Sequence, residues 1–501
     1  MGTLDLTTPQ GLLTSILPES ILVVLSLVVV LMAAWNHTEP RHSRMAGWAS
    51  LVSLGITAAV TGWLWSSGAH TEAIGGMIGV DSFRFLAELL ILLAAAGTIL
   101  LSLTYLEREQ MTAPEYYPLI LFAVIGMLFM VVANDLIVVF LGLETMSVSV
   151  YVLAAFDRRS ERSAEAGLKY FLVGAFASAF LLYGIALVYG ATGVTNLSLI
   201  GAQLGGGPLP LLAGAGLGLL LIGFGFKVAA APFHMWAPDV YDGAPTPVTT
   251  FMATAVKAAG FLTLARVLLV AFPDAMPHWK PILGVLGVLT MVIGNLVALV
   301  QRSLKRMLAY SSVAHAGYLL LALVPGSILG TAALQLYLLA YTLTTLIAFG
   351  TLAFIGRGGE REVTLSDIAG LGRTRPVLAL AIAICMLSLL GFPGTLGFIG
   401  KWYILLGLIS TGHPVLAVIM VLATVVSAGY YLPIIMAMYM REPAAPMVHA
   451  EVRVPVPARI VFAVSAVVLL AFGLWPAPIL DLAATGAHAV SAVLSGAMAG
   501  Q

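Results

Sequence analysis

The sequence predicts an all-α integral membrane protein of about fourteen transmembrane helices, since each crossing of the bilayer takes about 20 residues. Of the 501 residues, 60% are apolar and only 9% are charged, whereas an ordinary soluble domain has about 25% charged residues. Two long apolar segments are also interrupted by Pro and Gly at matching places. The solvent of this chain must therefore be lipid, and the matched interruptions predict two inverted five-helix repeats.

The composition also excludes several classes of function. A formal net charge of zero excludes a nucleic-acid binder that works through a basic field. The single cysteine, Cys385, excludes disulfides, thiolate metal sites and iron-sulfur clusters within this chain. No His or carboxylate pair has metal-ligand spacing, and neither a Walker-type loop nor a dinucleotide fingerprint occurs. We therefore predict no cofactor, no metal and no redox centre in this chain.

The apolar stretches between clusters of charge, Pro and Gly define the predicted spans, numbered one to fourteen in chain order. They are residues 17–35, 45–65, 83–106, 116–132, 135–156, 163–190, 210–231, 247–271, 280–300, 306–324, 328–356, 376–410, 415–440 and 458–476. The amino-terminal residues lack a basic region, which predicts that Leu17 to Trp35 is a retained span rather than a cleaved signal. The tail from Pro478 to Gln501 either lies along the membrane or forms part of another helix.

The basic residues predict the orientation, because Lys and Arg concentrate in the cytoplasmic loops of membrane proteins. Loops after even-numbered spans contain Lys280 alone. Both termini are therefore predicted outside, on the periplasmic side of a bacterial inner membrane. Loops after odd-numbered spans contain the sixteen other loop residues, Arg41, Arg44, Arg108, Arg158, Arg159, Arg162, Arg302, Lys305, Arg306, Arg357, Arg361, Arg373, Arg375, Arg441, Arg453 and Arg459.

Two predicted spans are too long for one straight crossing. From Pro210 to Asp239 the chain runs about 30 residues, roughly 45 Å as helix, and Pro232 interrupts it. From Pro376 to Thr411 it runs about 36 residues, roughly 54 Å as helix, and a Gly-Phe-Pro-Gly sequence interrupts it. A proline kink in a tilted span explains either segment alone. Both together predict broken helices at spans seven and twelve, which mark a transport path.

Spans seven and twelve are five crossings apart, so equivalent elements point in opposite directions across the bilayer. This spacing predicts an inverted repeat of spans four to eight and nine to thirteen. The predicted domains are an N-terminal three-helix segment over 1–110, the first repeat over 115–272, the second repeat over 279–440, and span fourteen with the tail over 441–501.

Lysines inside apolar segments are the first candidates for chemistry. The seventeen arginines, except Arg84 and Arg266, lie in loops. An intramembrane charge costs at least about 2.5 to 3.5 kcal/mol, so several of them require an explanation. Burial brings a lysine towards neutrality whereas arginine stays protonated, so a proton relay favours lysine. Four of the six lysines lie in apolar segments, namely Lys169, Lys227, Lys257 and Lys401.

Glu144 is the carboxylate that lies deepest in the predicted spans, in L-G-L-E-T-M-S-V-S-V of span five. Ser147 and Tyr151 share its helical face. The carboxylate needs a cation, and Lys169 on the next helix or Lys227 on the broken one are the two options. A neighbouring carboxylate keeps a lysine protonated, and its removal releases the proton. The alternative is a purely structural ion pair between helices.

The other candidate residues differ in depth. Lys227 precedes the predicted break at Pro232, and Lys401 follows the second break as its counterpart. Lys257 lies in mid-span, whereas Lys169 lies near a boundary, where snorkelling competes with a functional role. Two histidines could shuttle protons near neutral pH or simply pack in the membrane. They are His234, just past Pro232, and His315 in A-Y-S-S-V-A-H-A-G-Y of span ten.

Three longer motifs relate the chain to a known family. They are F-K-V-A-A-A-P-F-H-M-W-A-P-D-V-Y-D-G-A-P-T-P-V-T-T-F-M-A-T-A-V-K-A-A-G from Phe226 to Gly260, Q-R-S-L-K-R-M-L-A-Y-S-S-V-A-H-A-G-Y, and G-F-P-G-T-L-G-F-I-G-K-W. The chain resembles the antiporter-like subunits of respiratory complex I over essentially its whole length. Within that family, Lys401 and the lack of a long lateral helix at the carboxy terminus favour the N branch.

The resemblance implies a proton-translocating membrane-arm subunit of NADH:quinone oxidoreductase, which carries no redox centre itself. It implies a proton path through Glu144, Lys227, Lys257 and Lys401, with Lys169 modulating the glutamate pair. The implied partners are sister antiporter-like subunits, small membrane subunits, and a peripheral arm that binds NADH and quinone and holds FMN and iron-sulfur clusters.

Three other functions stay open at this point. The chain could serve a multisubunit cation/proton antiporter of the same fold. It could serve a related complex fed by ferredoxin, a deazaflavin or a hydrogenase module. It could also be a membrane scaffold with vestigial charges.

Overall fold

The computed structural model describes residues 3–6, 8–35, 40–71, 76–111, 113–355, 362–442 and 454–499. Over these ranges the regular elements are helices, joined by isolated β-bridges but no strand, which confirms the all-α class. Ten of the described helices are long and apolar enough to cross a membrane, which confirms a multi-pass membrane protein. Helices suit this solvent because they satisfy their own backbone hydrogen bonds.

The first half of the chain contains ten helices before the central buried helix. They are α1 (Pro9–Ser15), α2 (Leu17–Trp35), α3 (Pro40–Ser66), α4 (Ser82–Arg108), α5 (Tyr116–Val132), α6 (Leu136–Ala154), α7 (Glu161–Thr192), α8 (Leu197–Leu204), α9 (Leu211–Lys227) and α10 (Trp236–Gly243).

The central helix runs continuously from Thr246 to Ala271. It consists of α11 (Thr246–Phe251), a π-helical turn over Met252–Val256, α12 (Lys257–Arg266) and a second π-helical turn over Val267–Ala271. The remaining helices are α13 (Met276–Leu299), α14 (Leu304–Leu323), α15 (Ile328–Ile355), α16 (Leu371–Thr374), α17 (Pro376–Leu390), α18 (Leu396–Ser410), α19 (Pro414–Met440), α20 (Val456–Leu474) and α21 (Ala477–Ala499).

The core lies around the central helix, which is buried along its whole length, and around α15, which is almost completely buried. The outer helices instead expose large apolar side chains, such as Leu31, Phe176 and Val425. Lipid tails cover such residues at no cost, so the chain needs no polar shell. The tail, left open by the sequence, forms α21 and packs against α4 and α15.

The first long segment is interrupted earlier than the sequence predicts. Helix α9 ends at Lys227 rather than at Pro232. Ala229 has a left-handed backbone with φ 58°, which ends a helix by turning its last carbonyls towards the following N–H groups. The N–H group of Ala231 leaves the helix altogether and donates to the Thr290 hydroxyl at 2.8 Å. The lysine is therefore the last residue of its helix.

The second long segment is interrupted within its Gly-Phe-Pro-Gly sequence. Helix α17 ends at Leu390, and Gly391 follows with φ 85°. Glycine readily adopts this left-handed backbone conformation because it lacks Cβ. Helix α18 then starts at Leu396, where the side chain of Thr395 caps it by accepting from the Phe398 N–H at 3.4 Å.

Candidate functional site

Glu144 lies half-buried on α6 and accepts a hydrogen bond from the Ser178 hydroxyl of α7. Neither of the two expected ion pairs forms, since no lysine nitrogen of the described ranges lies within 4.0 Å of this carboxylate. Lys169 precedes Ser178 by nine residues on α7. The lysine therefore lies about 13 Å along the helix from Ser178, the partner of Glu144. The partner of Glu144 is therefore a hydroxyl group, which the sequence analysis missed.

The side chain of Lys227 faces α6, the helix that carries Glu144. Its Nζ atom donates to the Ser147 hydroxyl at 2.6 Å and to the Tyr151 hydroxyl at 3.4 Å. The rings of Tyr151 and Tyr170 lie 5.3 and 5.8 Å from Nζ, within the range of cation–π attraction. Ser147 lies one helical turn from Glu144 on α6. The carboxylate is therefore near the hydrogen-bond partner of Lys227 but does not contact the lysine itself.

Lys257 begins α12, directly after the first π-helical turn, and is only 2% exposed. Its Nζ atom donates to the backbone carbonyl of Ser312 at 2.6 Å and also to the Ser312 hydroxyl. The Tyr341 ring lies 5.2 Å from the same nitrogen. Ser312 belongs to α14, so Lys257 connects the central helix to the second half of the chain.

His315 lies one turn further along α14, and both of its ring nitrogens have partners. Nδ1 lies 2.6 Å from the Tyr337 hydroxyl, and Nε2 lies 2.9 Å from the Tyr431 hydroxyl. The Tyr431 hydroxyl also bonds to the hydroxyl of Ser311. Since Ser311 adjoins Ser312 in the chain, this histidine lies in one polar cluster with the Lys257 contact.

Lys401 lies on α18 and reaches back across the second break. Its Nζ atom donates to the carbonyl oxygens of Leu389 at 2.9 Å and Leu390 at 3.1 Å. These are among the last carbonyls of α17, which lack helical partners and carry the negative end of the helix dipole. The Tyr318 ring lies 4.6 Å from Nζ and 5.5 Å from the His315 ring, so Lys401 is a neighbour of His315.

Lys169 lies apart from this row of residues. It contacts Asp239 at 2.8 Å and Glu165 at 3.1 Å, and Arg306 contacts the other oxygen of Asp239 at 3.0 Å. Its side chain is 40% exposed, as snorkelling predicts. Burial opposes the ionisation of Asp239, but the Lys169 and Arg306 charges outweigh it and hold the pKa of this carboxyl below its usual value.

His234 also lies apart from the lysines. It is half-buried in the first break, and its buried Nδ1 atom has no hydrogen-bond partner within the described ranges. Five of the seven predicted residues therefore fall into two groups, Glu144 with Lys227 at α6 and Lys257 with His315 and Lys401 around α14, and we call the two groups together the row.

Hydroxyl groups are the candidate site residues that the sequence analysis missed. Ser178, Ser312, Tyr337 and Tyr431 supply the hydrogen bonds of the row. One signal was present, since Ser311, Ser312 and His315 stand together in the quoted span-ten motif. The tyrosines carried no such signal, because they come from helices distant in the chain.

Comparison with known proteins decides the family. The family described as NADH:quinone oxidoreductase/Mrp antiporter, TM, matches residues 133–427. NADH-quinone oxidoreductase subunit N of Trichlorobacter lovleyi is 45% identical over 477 residues, covering 94% of this chain and 96% of that protein. The chain belongs to the NADH-quinone oxidoreductase subunit N family. Subunit N of Gemmatimonas aurantiaca is likewise 44% identical, covering 96% of this chain and 94% of that protein.

Solved structures agree with this membership of the subunit N family. A chain of respiratory complex I from Thermus thermophilus with bound aureothin is 39% identical, with a TM-score of 0.79 over 93% of this chain and 99% of that chain. A chain of the Mrp complex from Dietzia has a TM-score of 0.84 over 95% of this chain and 97% of that chain. At 23% identity this second match shows a shared fold alone. The family predicted from three sequence motifs is confirmed.

Proposed function

We propose that this chain moves protons across the membrane arm of NADH:quinone oxidoreductase, driven by redox chemistry in other subunits. Its membership of the subunit N family supports the assignment to this enzyme. The observation that carries the proposal is the row of five buried or half-buried ionisable side chains through the core. A row of this kind serves proton transfer because each member can gain or lose a proton.

We propose that the chain crosses the membrane fourteen times, with both termini outside. The ten long helices supply ten of these crossings. Four more are Tyr116–Val132, Leu211–Lys227, Leu304–Leu323 and one crossing shared by Pro376–Leu390 and Leu396–Ser410. The two breaks, each beside a lysine, support inverted repeats over 115–272 and 279–440, flanked by segments 1–110 and 441–501. The bias of basic loop residues supports the orientation in a bacterial inner membrane.

In the first repeat, Glu144 controls the charge of Lys227. The carboxylate lies one helical turn from Ser147, the hydrogen-bond acceptor of the lysine. While Glu144 is ionised and close, it stabilises the ammonium form of Lys227. Its protonation or displacement favours release of the lysine proton, which is the switch that distant redox chemistry would operate.

The released proton then passes to Lys257 and into the second repeat. The two lysines lie on packed helices, since a methyl group at Gly260 would lie 3.9 Å from the Lys227 Cβ atom. A water molecule between them would complete this step. From Lys257 the hydroxyls of Ser312, Ser311 and Tyr431 lead to His315, and Lys401 is the last station.

We place the FMN, the iron-sulfur clusters and the binding of NADH and quinone in other subunits, because one cysteine cannot ligate a cluster. The partners we propose are the sister antiporter-like subunits and the small membrane subunits. The outer helices support this, since they expose large apolar side chains that lipid or neighbouring membrane subunits can cover.

The test uses Lys227→Ala and Lys401→Ala in the intact complex, reconstituted into liposomes. Both variants should lower proton translocation and coupled quinone reduction while NADH oxidation with an artificial acceptor stays unchanged. Arg158→Ala, in a loop, is the control and should retain translocation. Unchanged translocation in both lysine variants would refute the relay.

A native gel stained for NADH oxidation separates the other assignments. Comigration of this chain with the NADH-active band supports the proposal. Recovery in a smaller, redox-silent assembly would instead favour the multisubunit antiporter. A loss of assembly without a specific loss of translocation in the lysine variants would favour the scaffold.

A further inference from the structure

A second group of buried charges lies in the N-terminal helices, away from the proposed relay. Arg84 of α4 donates from Nε to Glu88 of the same helix and from Nη2 to both oxygens of Glu19 of α2, at 2.9 and 3.0 Å. The Thr61 hydroxyl of α3 donates to the other oxygen of Glu88 at 2.8 Å. All four side chains are 0% exposed. We call Glu19, Arg84 and Glu88 the N-terminal triad.

The charges of the N-terminal triad do not balance. Two carboxylates face one guanidinium, and no second cation of the described ranges lies within 4.0 Å of either carboxylate. The nearest other charges, Asp81 and Arg266, neutralise each other in a two-pronged pair at 2.8 and 2.9 Å.

The other helices packed against α4 supply no cation that contacts the N-terminal triad within the described ranges. Arg44 of α3 pairs with Glu107, and Arg459 of α20 donates to the Val454 carbonyl. Helix α21 turns its ionisable residues, Asp481 and His488, towards the exterior. Lys257 of the central helix bonds instead to Ser312. A lone negative charge in a fully buried site is strongly unfavourable, and a proton bound between the carboxyl groups removes it.

A cavity of about 460 Å³ lies beside the N-terminal triad. Asp81 and Arg266 line it together with Gly79, whose carbonyl accepts from Arg84 Nη1 at 3.4 Å. A cavity of this volume has room for several water molecules. The charged side chains of Asp81 and Arg266 in its lining favour water as the occupant.

We propose that the N-terminal triad is a second protonation site, which holds one proton between its two carboxyl groups at neutral pH and exchanges it with water in the Asp81–Arg266 cavity. Both carboxyl groups are 0% exposed, so exchange requires a transient separation of Arg84 from the Gly79 carbonyl. The proton then passes from a carboxylic O–H to an entering cavity water, and the carboxylate left behind stays bonded to Arg84. The site lies among α2, α3 and α4, and therefore does not depend on the Lys227 to Lys401 row.

Infrared spectroscopy of the intact complex tests the charge count, because a protonated carboxyl has its own C=O band. Glu19→Gln and Glu88→Gln should each remove the band of one protonated carboxyl, since the single remaining carboxylate then balances Arg84. The matched control is Glu107→Gln, from the partly exposed pair with Arg44, which should leave the band unchanged. An unchanged band in both triad variants would overturn the proposal.

Two further variants protect the test against misfolding. Arg84→Lys retains the positive charge and should retain the band, whereas Arg84→Gln should add a second protonated carboxyl. Each variant is first checked for assembly on a native gel. If the arginine variants fail to assemble, the two conservative glutamine variants still decide the charge count.

The cavity route is tested by hydrogen–deuterium exchange. Transfer of the unmodified complex into D₂O should shift the carboxyl band, and Ser198→Trp, which fills the cavity from a lining position, should slow that shift. The control is Ser366→Trp, in an exposed loop far from the triad in the chain. An exchange rate unaffected by Ser198→Trp would overturn the cavity as the source of the proton.

Discussion

The two broken helices hold their lysines in opposite ways. Lys227 ends the helix before its break and points at the hydroxyls of α6, one turn from Glu144. Lys401 lies after its break and reaches back to the carbonyls of Leu389 and Leu390. The first lysine therefore has hydroxyl partners one turn from a carboxylate, and the second has backbone carbonyls, whose dipoles are fixed.

This difference assigns different work to the two halves of the protein. Glu144 is only half-buried, so we expect a charge change outside the chain to act on the first half through this carboxylate. No carboxylate of the described ranges contacts either Lys257 or Lys401. We therefore expect the first half to receive the driving signal and the second half to pass the proton on.

The largest effect is expected where the two halves meet. Lys257→Met removes the contact with Ser312, and general acid–base groups contribute about 10²- to 10⁴-fold to rates, so translocation should fall at least about tenfold. Proton uptake by liposomes containing the complex measures it. Lys280→Met is the control, because within the described ranges that lysine donates to the Pro325 carbonyl alone. An equal fall in translocation in both variants would contradict a special role for the Lys257–Ser312 contact between the two halves.

Glu144→Gln tests the control of the first half. The amide can still accept from Ser178 but carries no charge, so coupled turnover should fall several-fold while the complex assembles normally. Glu161→Gln, at the exposed start of α7, is the control, and its coupled turnover should be close to that of the unmodified complex. Normal coupling in Glu144→Gln would remove the proposed difference between the halves.

The two breaks also differ in their left-handed residues, which are Ala229 and Gly391. In Gly391→Ala the new Cβ would meet the Lys401 Cδ atom at 2.9 Å, and a left-handed alanine costs roughly 1 to 2 kcal/mol. Both the thermal stability of the complex and translocation should therefore decrease. Ala229→Gly should leave translocation unchanged, because glycine adopts the left-handed backbone without strain. If this variant loses as much translocation as Gly391→Ala, backbone strain at Gly391 has no specific link to Lys401.

Tyr431→Phe sharpens the account of the second half with a smaller effect. It removes the hydroxyl between Ser311 and His315, so translocation should slow by a few-fold while the ring still packs. The neighbouring Tyr430→Phe loses a bond to Asn295 at 2.7 Å instead. If the two variants slow translocation equally, Tyr431 has no particular place in the path.

The smallest effect is expected at Asp239, outside the row. Because the pKa of Asp239 is lowered, its pairs stabilise the fold fully above the ordinary aspartate pKa, and this contribution disappears as the pH falls through the lowered value. Asp239→Asn should cost less than about 1 kcal/mol at neutral pH, since the pairs are partly exposed. Thermal unfolding at neutral and acidic pH measures the difference, which should vanish in acid. A cost that persists in acid would exclude the ion pairs as its source.

The helices, the two interruptions and the buried lysines could all be predicted from the sequence. Each depends on local information: the length of an apolar run, a Pro or Gly within it, or a charge placed where lipid would reject it. Even so, α9 ends five residues before Pro232, which lies within the interruption between α9 and α10. The left-handed Ala229 and the bond from the Ala231 N–H group to Thr290 of another helix accompany this earlier end.

Only the tertiary structure decided which side chains meet. The sequence suggested a lysine for Glu144, whereas the structure supplies Ser178, and it gave no reason to join Glu19 to Arg84 and Glu88. Apolar faces pack against lipid as readily as against one another, so an apolar pattern establishes that a helix lies in the membrane but not which helices are its neighbours. The polar contacts that make the relay and the N-terminal triad arise from that packing.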